Sequence, residues 1–492
     1  MEPYRILFCA SEVYPLIKTG GLADVAGSLP HALKKLGHDV QIVLPAYLEV
    51  LAQLKHPPAL RLETRVGTHI IGIRHTSLPH TRVPVWLIDN PELYQRPGNP
   101  YHDQHNEPWP DNALRFAVFN QVITAMAMNR YGLDWQPQIV HCNDWQTGLV
   151  PALLDQEVQR PTTVFTIHNL AYQGVFDRAT FEQLQLDESF WHYQQLEYHN
   201  HFSFLKGGLV FADRINTVSP TYAREIQTPE FGYGMQGVLQ HRADRLSGII
   251  NGINSDIWNP GTDPYLPHKY NQQHLPGKAL NKQALQQQFK LPQKPEVLLL
   301  GLVSRLAQQK GIDMLLAILP ELVQRPIQLT IVGSGDKNYE RDLLDAAKLY
   351  PDVVGVRIGY DEASAHLIEA GADVFVMPSR FEPCGLNQMY SQRYGTLPIV
   401  TPVGGLADSV TDASEENQTQ QRASGFVMAD VTEEALLQAI DRAIALHAKP
   451  EMWKKLMRSA MKLDHSWTHS AQDYAELYAQ AIRDNPKSLT VV

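Results

Sequence analysis

Short, nearly continuous apolar runs alternate along the chain with stretches whose apolar positions recur at helical spacing. Residues 5–10 (RILFCA) read as a buried strand, 18–21 as a glycine-containing loop, and 22–36 as a helix. Gly37 stands where a left-handed cap ends such a helix. Residues 39–44 form a second strand, which completes a βαβ unit. The pattern recurs with strands at 84–88, 139–141 and 163–167 and a long helix at 112–130. A Pro-, Gly- and Asn-rich segment, 251–276, is the expected crossover between domains. Beyond it come strands at 297–303, 328–332, 354–358, 374–377 and 398–401, with helices at 312–323 and 339–349. Short apolar strands alternating with helices predict parallel sheets covered on both faces. The expected architecture is α/β, with two doubly wound, Rossmann-like domains at 1–250 and 251–464. A terminal helical segment (465–492, strongest at 471–483) is expected to pack back on the first. Two such domains facing each other bring their strand C-terminal loops to a common cleft.

Length agrees with this division, because 492 residues exceed what one hydrophobic core usually covers. Hydrophobic residues make up 44% and charged residues 19%, which excludes a disordered chain. The formal charge of −10 argues against nucleic acid or an acidic membrane as partner, though not against a local basic pocket. Three cysteines, Cys9, Cys142 and Cys384, make neither a disulfide framework nor a zinc site of standard spacing. The opening residues lack the pattern of a signal peptide, and no run approaches the ~18 apolar residues of a membrane helix. A reducing cytoplasm is the expected compartment.

Several loops then carry candidate chemistry. In Lys18-Thr19-Gly20-Gly21, glycines permit close approach to a ligand and the following helix offers N–H groups to a phosphate. The same loop serves equally as a tight turn, and it is no Walker loop. Gly333-Ser334-Gly335 lacks a third glycine at Asn338, which weakens a dinucleotide reading. Arg305 and Lys310 lie on a predicted loop entering a helix, either as a diphosphate clamp or as a solvated pair. Glu382 sits at a predicted helix start, where a carboxylate stays ionised and accepts sugar hydroxyls, or merely caps the helix. Polar constellations around Asp144 and His168 follow two strands of the first half. The cluster at 191–202 (WHYQQLEYHNHF) fits carbohydrate binding or core packing. Metal binding is not expected, since no HExxH occurs.

Seven of these motifs stand in an order that resembles the bacterial glycogen synthases and the related plant starch synthases. They are KTGGLADV at 18–25, HCNDW at 141–145, TIHNLAYQG at 166–174, NGIN at 251–254, SRLAQQKG at 304–311, the Gly359-Tyr360 turn and PSRFEPCGLNQ at 378–388. The resemblance implies a GT-B glycosyltransferase that moves glucose from ADP-glucose to the 4-OH at the end of an α-1,4-glucan. It further implies retention of configuration and no metal or other cofactor. Matched motif by motif, Lys18, Arg305 and Lys310 would hold the diphosphate with backbone help from Gly20 and Gly21. Glu382 would grip the glucose, and His168 and Asp144 would line the reaction centre. Asn251, Tyr360, Cys384, Gly385 and Leu386 would complete the donor site. Tyr94 and Tyr101, the latter in the loop Gly98-Asn99-Pro100-Tyr101, would meet the acceptor.

Three positions depart from the family pattern. Asn254 replaces the usual acid and Asn387 a common hydroxyl residue, so neither is given a role. Tyr390 stands where some retaining relatives carry a second glutamate. A double-displacement glycosidase needs two carboxylates ~5 Å apart, and no second candidate is matched to Glu382. Front-face attack assisted by the leaving phosphate is therefore the expected route to retention. A nucleotide-sugar epimerase of the same architecture and a non-catalytic α-glucan-binding protein are the alternative readings. The paired cations and the glycine loop argue against the binder. Because the implied donor ligands divide between the two domains, closure is expected to complete the site and exclude water. Small-angle scattering should then give a smaller radius of gyration with ADP plus a maltooligosaccharide than without. An unchanged radius under demonstrated saturation would rule out closure as the assembling step.

Overall fold

The computed structural model describes residues 3–54, 56 and 58–488; the remaining residues of the expected 1–250 and 465–492 segments lie outside the described residues. The chain divides into two units. The first runs up to Gly252 and resumes at Trp467, and the second is Ile253–Ser466.

The first unit contains β1 (Arg5–Cys9), β2 (Asp39–Pro45), β3 (Ala59–Val66), β4 (His69–Ser77), β5 (Pro84–Asp89), β6 (Ile139–Asn143) and β7 (Thr162–Ile167). A small antiparallel sheet follows, made of β8 (Val175–Phe176), β9 (Glu197–Tyr198) and β10 (His201–Ser203). Two further strands, β11 (Arg214–Thr217) and β12 (Leu246–Gly248), return to the large sheet. Its order is β12-β11-β7-β6-β1-β2-β5-β4-β3. From β12 to β5 every pairing is parallel. Strands such as β7 (TTVFTI) are buried at every position, as a sheet covered on both faces requires.

The β3–β4 hairpin is antiparallel, and β4 pairs antiparallel with β5, which corrects the all-parallel expectation. Its first strand, ALRLETRV, alternates apolar and charged residues with one side exposed. It therefore offers no apolar run of the kind that marks a buried strand.

Helix Trp467–Asp484 packs into the core of the first unit through Trp467, Tyr474, Leu477 and Tyr478. It begins four residues before the predicted 471, because Trp467 and Ser470 already face the core. The Tyr478 hydroxyl lies 2.8 Å from His141 Nδ1, and His141 Nε2 lies 2.7 Å from Thr166 Oγ1. Burial pushes the His141 pKa down to about 3, so the ring is neutral and its two nitrogens take one donor and one acceptor role.

The second unit holds β13 (Leu298–Leu306), β14 (Ile327–Gly335), β15 (Val354–Ile358), β16 (Val374–Met377), β17 (Leu397–Val400) and β18 (Phe426–Val427). All are parallel, in the order β15-β14-β13-β16-β17-β18. Counted within the unit this is 3-2-1-4-5-6, the doubly wound order whose switch point lies beside the first strand. Strands β13 and β14 run three residues past their predicted ends. Ser304, Arg305 and Leu306 pair in register with Gly333, Ser334 and Gly335. A Cβ at Gly333 would stand 2.1 Å from the Ser304 carbonyl oxygen, so glycine lets the pairing continue. Gly333-Ser334-Gly335 is thus strand and not loop, and Arg305 projects from a strand end.

The expected crossover 251–276 is mostly docked on the second unit. Trp258 stacks between His366 (3.9 Å) and Tyr390 (3.8 Å). Asp263 accepts from His366 Nδ1 at 2.7 Å and Tyr394 Oη at 2.6 Å. Burial opposes its charge, but these hydrogen bonds outweigh burial and lower its pKa.

A buried ion pair ties the far end of the first sheet together. Arg160 grips Asp213 with two nitrogens at 2.6 and 2.9 Å, and Asp213 also accepts from Thr163 N and Oγ1. Removing one partner of such a pair strands the other charge. Asp213→Ala should cost about 3–5 kcal/mol in urea unfolding, and a loss below about 1 kcal/mol would show that Arg160 finds water or another partner.

Candidate active site

In the first unit the candidate groups emerge where β1, β6 and β7 end. Beyond β1, the Glu12 carboxylate folds under the glycine loop. It accepts from Thr19 N at 2.5 Å, Gly20 N at 3.0 Å and Thr19 Oγ1 at 2.6 Å. Gly20 is the N-cap of helix Gly21–Lys35, and no side chain caps it. The Gly20 N–H expected to help a phosphate is therefore occupied by Glu12. Lys18 Nζ donates to Asp24 at 2.9 Å at the mouth of the same helix.

After β6 the backbone at Asp144 has φ 56° and ψ −178°, a region that side chains other than glycine's seldom adopt. Asp144 N donates to Thr166 O, while its Oδ1 accepts from His168 N at 2.7 Å. The strained turn thus points the carboxylate across to the loop after β7. Burial is the main cause that pushes the Asp144 pKa up to about 7, against the two backbone N–H groups of His168 and Asn169 that lower it. Near neutral pH this carboxyl is poised between its two forms. His168 Nε2 lies 2.9 Å from the Asn143 side-chain oxygen, an acceptor, so Nε2 carries the proton. Burial lowers the His168 pKa to about 3, which leaves a neutral ring. Asp144, His168 and Glu12 thus stand on adjoining strand ends, as doubly wound sheets place ligand-binding groups.

The two tyrosines expected at the acceptor differ. Tyr101 is partly exposed, and its hydroxyl donates to Glu12 at 2.5 Å. Tyr94 is only 1% exposed and its hydroxyl donates to the Arg115 carbonyl. Tyr94 is a core residue, which corrects its assignment to a glucan-contacting surface. Arg115, buried beneath it, donates to the carbonyls of Leu93 and Pro100 and so shapes the 98–101 loop. Asn251 belongs to the first unit, and its buried side-chain oxygen has no hydrogen-bond partner among the described residues. The 191–202 cluster is mainly packing. Phe202 is fully buried against Phe176, Phe181 and Phe204, while Tyr193 is exposed.

In the second unit Arg305 ends β13, and a short 3₁₀ turn, Gln308–Lys310, follows. Lys310 Nζ meets Glu382 Oε2 at 2.5 Å, and Ser379 Oγ donates to the same oxygen at 3.0 Å. Gln309 bridges the two segments by donating to Phe381 O and accepting from Arg380 N. Arg305 Nη2 approaches Gln309 Oε1 at 3.4 Å. The glycine pair 404–405 closes behind the acid. Gly404 has φ 43°, and a Cβ there would meet the Glu382 carbonyl oxygen at 1.9 Å. Cys384 is buried, Gly385 is left-handed, and both Gly385 and Leu386 are half-buried ahead of helix Asn387–Arg393. Tyr360 is 64% exposed, and its hydroxyl donates to Glu362. Asn387 spends its amide on the Val303 carbonyl.

Glu12 and Ser379 went unread in the sequence. Glu12 follows an apolar strand directly, and an acid at a parallel strand's C-terminal end is the signal that was available. Among the described residues no three His, Cys, Asp or Glu side chains converge as a metal site, and no helix is long and apolar enough to cross a membrane.

Two doubly wound units carrying a cation–carboxylate pair and glycine-lined strand ends define a glycosyltransferase of the GT-B class. Residues 5–241 match the starch synthase catalytic domain family, and residues 281–459 match the group 1 glycosyl transferases. The chain is 54% identical to glycogen synthase 1 of Methylococcus capsulatus, over 97% of each chain. It is 52% identical to the glycogen synthase of Cellvibrio japonicus, over 97% of this chain and 99% of the other. The solved catalytic domain of Arabidopsis thaliana starch synthase IV superposes with a TM-score of 0.84 at 31% identity, covering 98% and 99% of the two chains. The chain belongs to the glycogen synthase family, and it is accordingly a glucosyltransferase of glycogen synthesis.

Asp144 yields a pH test. A folded-state pKa near 7 means that the folded chain binds a proton that the unfolded chain has released. The associated stability is complete below about pH 4 and is lost as pH rises toward 7. Asp144→Asn removes this loss, so variant stability relative to wild type should grow by roughly 2–4 kcal/mol from about pH 4 to pH 7. Chemical denaturation across that range measures it, and a constant difference would contradict the burial account.

Proposed function

We propose that the enzyme elongates α-1,4-glucan by transferring glucose from ADP-glucose to the non-reducing 4-OH, with retention and without a metal or other cofactor. The observation that carries this reading is the Lys310–Glu382 pair. An ammonium has three donors, so Lys310 can hold Glu382 and a phosphate oxygen at once. Glu382 then reaches the glucose hydroxyls while Lys310 and Arg305 stand at the leaving diphosphate, and the bond that breaks lies between them. Negative charge grows on the phosphate as the bond lengthens, so these cations act more strongly on the transition state than on the bound donor. Adenosine diphosphate as the carrier is supported by the starch synthase IV catalytic domain, which was solved with ADP and acarbose.

Residues 1–250 supply the acceptor side and 251–464 the nucleotide sugar in this reading. Lys18 and Gly21 add to the diphosphate ligands, and Asn251, Cys384, Gly385, Leu386 and Tyr360 to the donor site. Asp144 and His168 line the reaction centre on the acceptor side. A neutral His168 offers a ring nitrogen to a sugar hydroxyl, and Asp144 in its ionised form stabilises the positive charge that develops at C1. Glu382 has no second carboxylate matched to it for a covalent intermediate, so the acceptor 4-OH attacks the face that the phosphate leaves and gives its proton to that phosphate. A reducing cytoplasm suits the three cysteines, which are all buried.

Incubation with ADP-glucose and a maltooligosaccharide, followed by product sizing, tests the assignment. Elongation supports it, sugar interconversion supports an epimerase, and glucan retention without turnover supports a binder. A parallel rate with UDP-glucose decides the base. Arg305→Ala and Lys310→Ala should each lower kcat/KM at least ~10²-fold, the scale of a lost preorganised charge partner. Wild-type kinetics in either folded variant would remove that residue from the site.

A further inference from the structure

Glu12 is 3% exposed, yet it keeps four donors on its two oxygens. Oε2 accepts from Thr19 N and Gly20 N. Oε1 accepts from Thr19 Oγ1 at 2.6 Å and from Tyr101 Oη at 2.5 Å. With its proton donated to Glu12, the Tyr101 oxygen accepts from the buried Ser11 hydroxyl at 2.8 Å. The tyrosine's own loop is equally constrained. Asn99 Oδ1 accepts from Tyr101 N and His102 N, and Asn112 Nδ2 donates to Tyr101 O. One carboxylate therefore joins two loops that are 89 positions apart in the chain. One carries Lys18 and opens the helix at Gly21, and the other presents the half-buried Tyr101 ring.

We infer that Glu12 is a positioning residue that couples the acceptor loop at Tyr101 to the donor loop at Lys18–Gly21, so that a glucan seated on one alters nucleotide binding at the other. Its oxygens are held at short distances by both loops, and neither loop shifts without moving the carboxylate or breaking a buried hydrogen bond. Losing a hydrogen-bond partner of a buried polar group costs more than losing an exposed contact, which makes the linkage stiff. Coupling between binding sites is reciprocal, so donor occupancy must tighten glucan binding by the same factor. The inference rests on the functional reading above, which assigns the two loops their ligands.

Calorimetry of ADP binding to the full chain, with and without saturating maltoheptaose, tests it. Wild type should bind ADP at least ~5-fold more tightly with the glucan, the lower end of usual site-to-site coupling. Tyr101→Phe, which removes only the hydroxyl, and Glu12→Gln should each bring that factor close to one. The double variant should show no further loss. The KM for maltoheptaose should rise in Tyr101→Phe, and this rise should disappear when the Glu12→Gln background is the reference. A merely structural role predicts otherwise, namely a lower melting temperature with the coupling factor intact. That result, additive effects of the two substitutions, or no coupling in wild type overturns the inference. If Glu12→Gln does not fold, Tyr101→Phe decides alone, and retained coupling in it is fatal. Elongation by wild type is scored separately, with ADP-glucose and maltoheptaose. Its absence sinks the functional reading, while the calorimetric factor still judges the linkage.

Discussion

Parallel pairing of strands forbids tight turns. Each strand needs a crossover before its neighbour can form, so successive C-terminal ends emerge along one edge of the sheet. This constraint places the chemistry in both units. Glu12, Asp144 and His168 follow β1, β6 and β7, which are neighbours in the first sheet. Arg305, Lys310 and Glu382 follow β13 and β16, which flank the switch point of the second. The pair Lys310–Glu382 and the pair Asp144–His168 are joined across 72 and 24 residues of chain. The covered hydrophobic strands beneath them supply the rigidity, and the loops above supply the function.

Three buried or nearly buried carboxylates occupy those strand ends, and each is kept by different means. Glu12 is surrounded by four neutral donors from two loops. Glu382 has a cation and a hydroxyl on a single oxygen. Asp144 accepts from backbone N–H groups, which lower its proton affinity less than burial raises it. The three acids thus differ in the kind of donor that holds them: two loops for Glu12, a cation and a hydroxyl for Glu382, and backbone N–H groups for Asp144.

Much of this was legible in the pattern of residues. Apolar runs of strand length marked most of the parallel core, and short motifs marked Glu382, Lys310, Asp144 and His168. The β3–β4 hairpin was illegible because its alternation matches a half-exposed strand, and its charged residues hide it among loops. The ends of β13 and β14 were misread because glycines usually signal turns, whereas here they let two strands stay close. Tyr94 was assigned to the surface by its motif, although an aromatic beside apolar Leu93 is as readily a core residue. Beyond its place after an apolar strand, nothing in the local sequence marks Glu12. Its partners are a loop some eight residues on and a hydroxyl 89 residues on, and only the folded chain brings them together.

The helix Trp467–Asp484 has a consequence for how the chain is made. Its Tyr474 and Tyr478 rings are wholly buried in the core of the first unit, and their hydroxyls partner Asn216 and His141 there. Synthesis runs from the amino end, and domains generally fold as they emerge. The ribosome must therefore deliver all of Ile253–Ser466 before the first unit receives its missing wall. Until then the nascent first unit lacks the apolar side chains of this helix and the Tyr478 partner of His141, while the contiguous second unit already has every residue of its core. The unit that begins the chain is the one completed last, and the interval between is the time a chaperone has to bind.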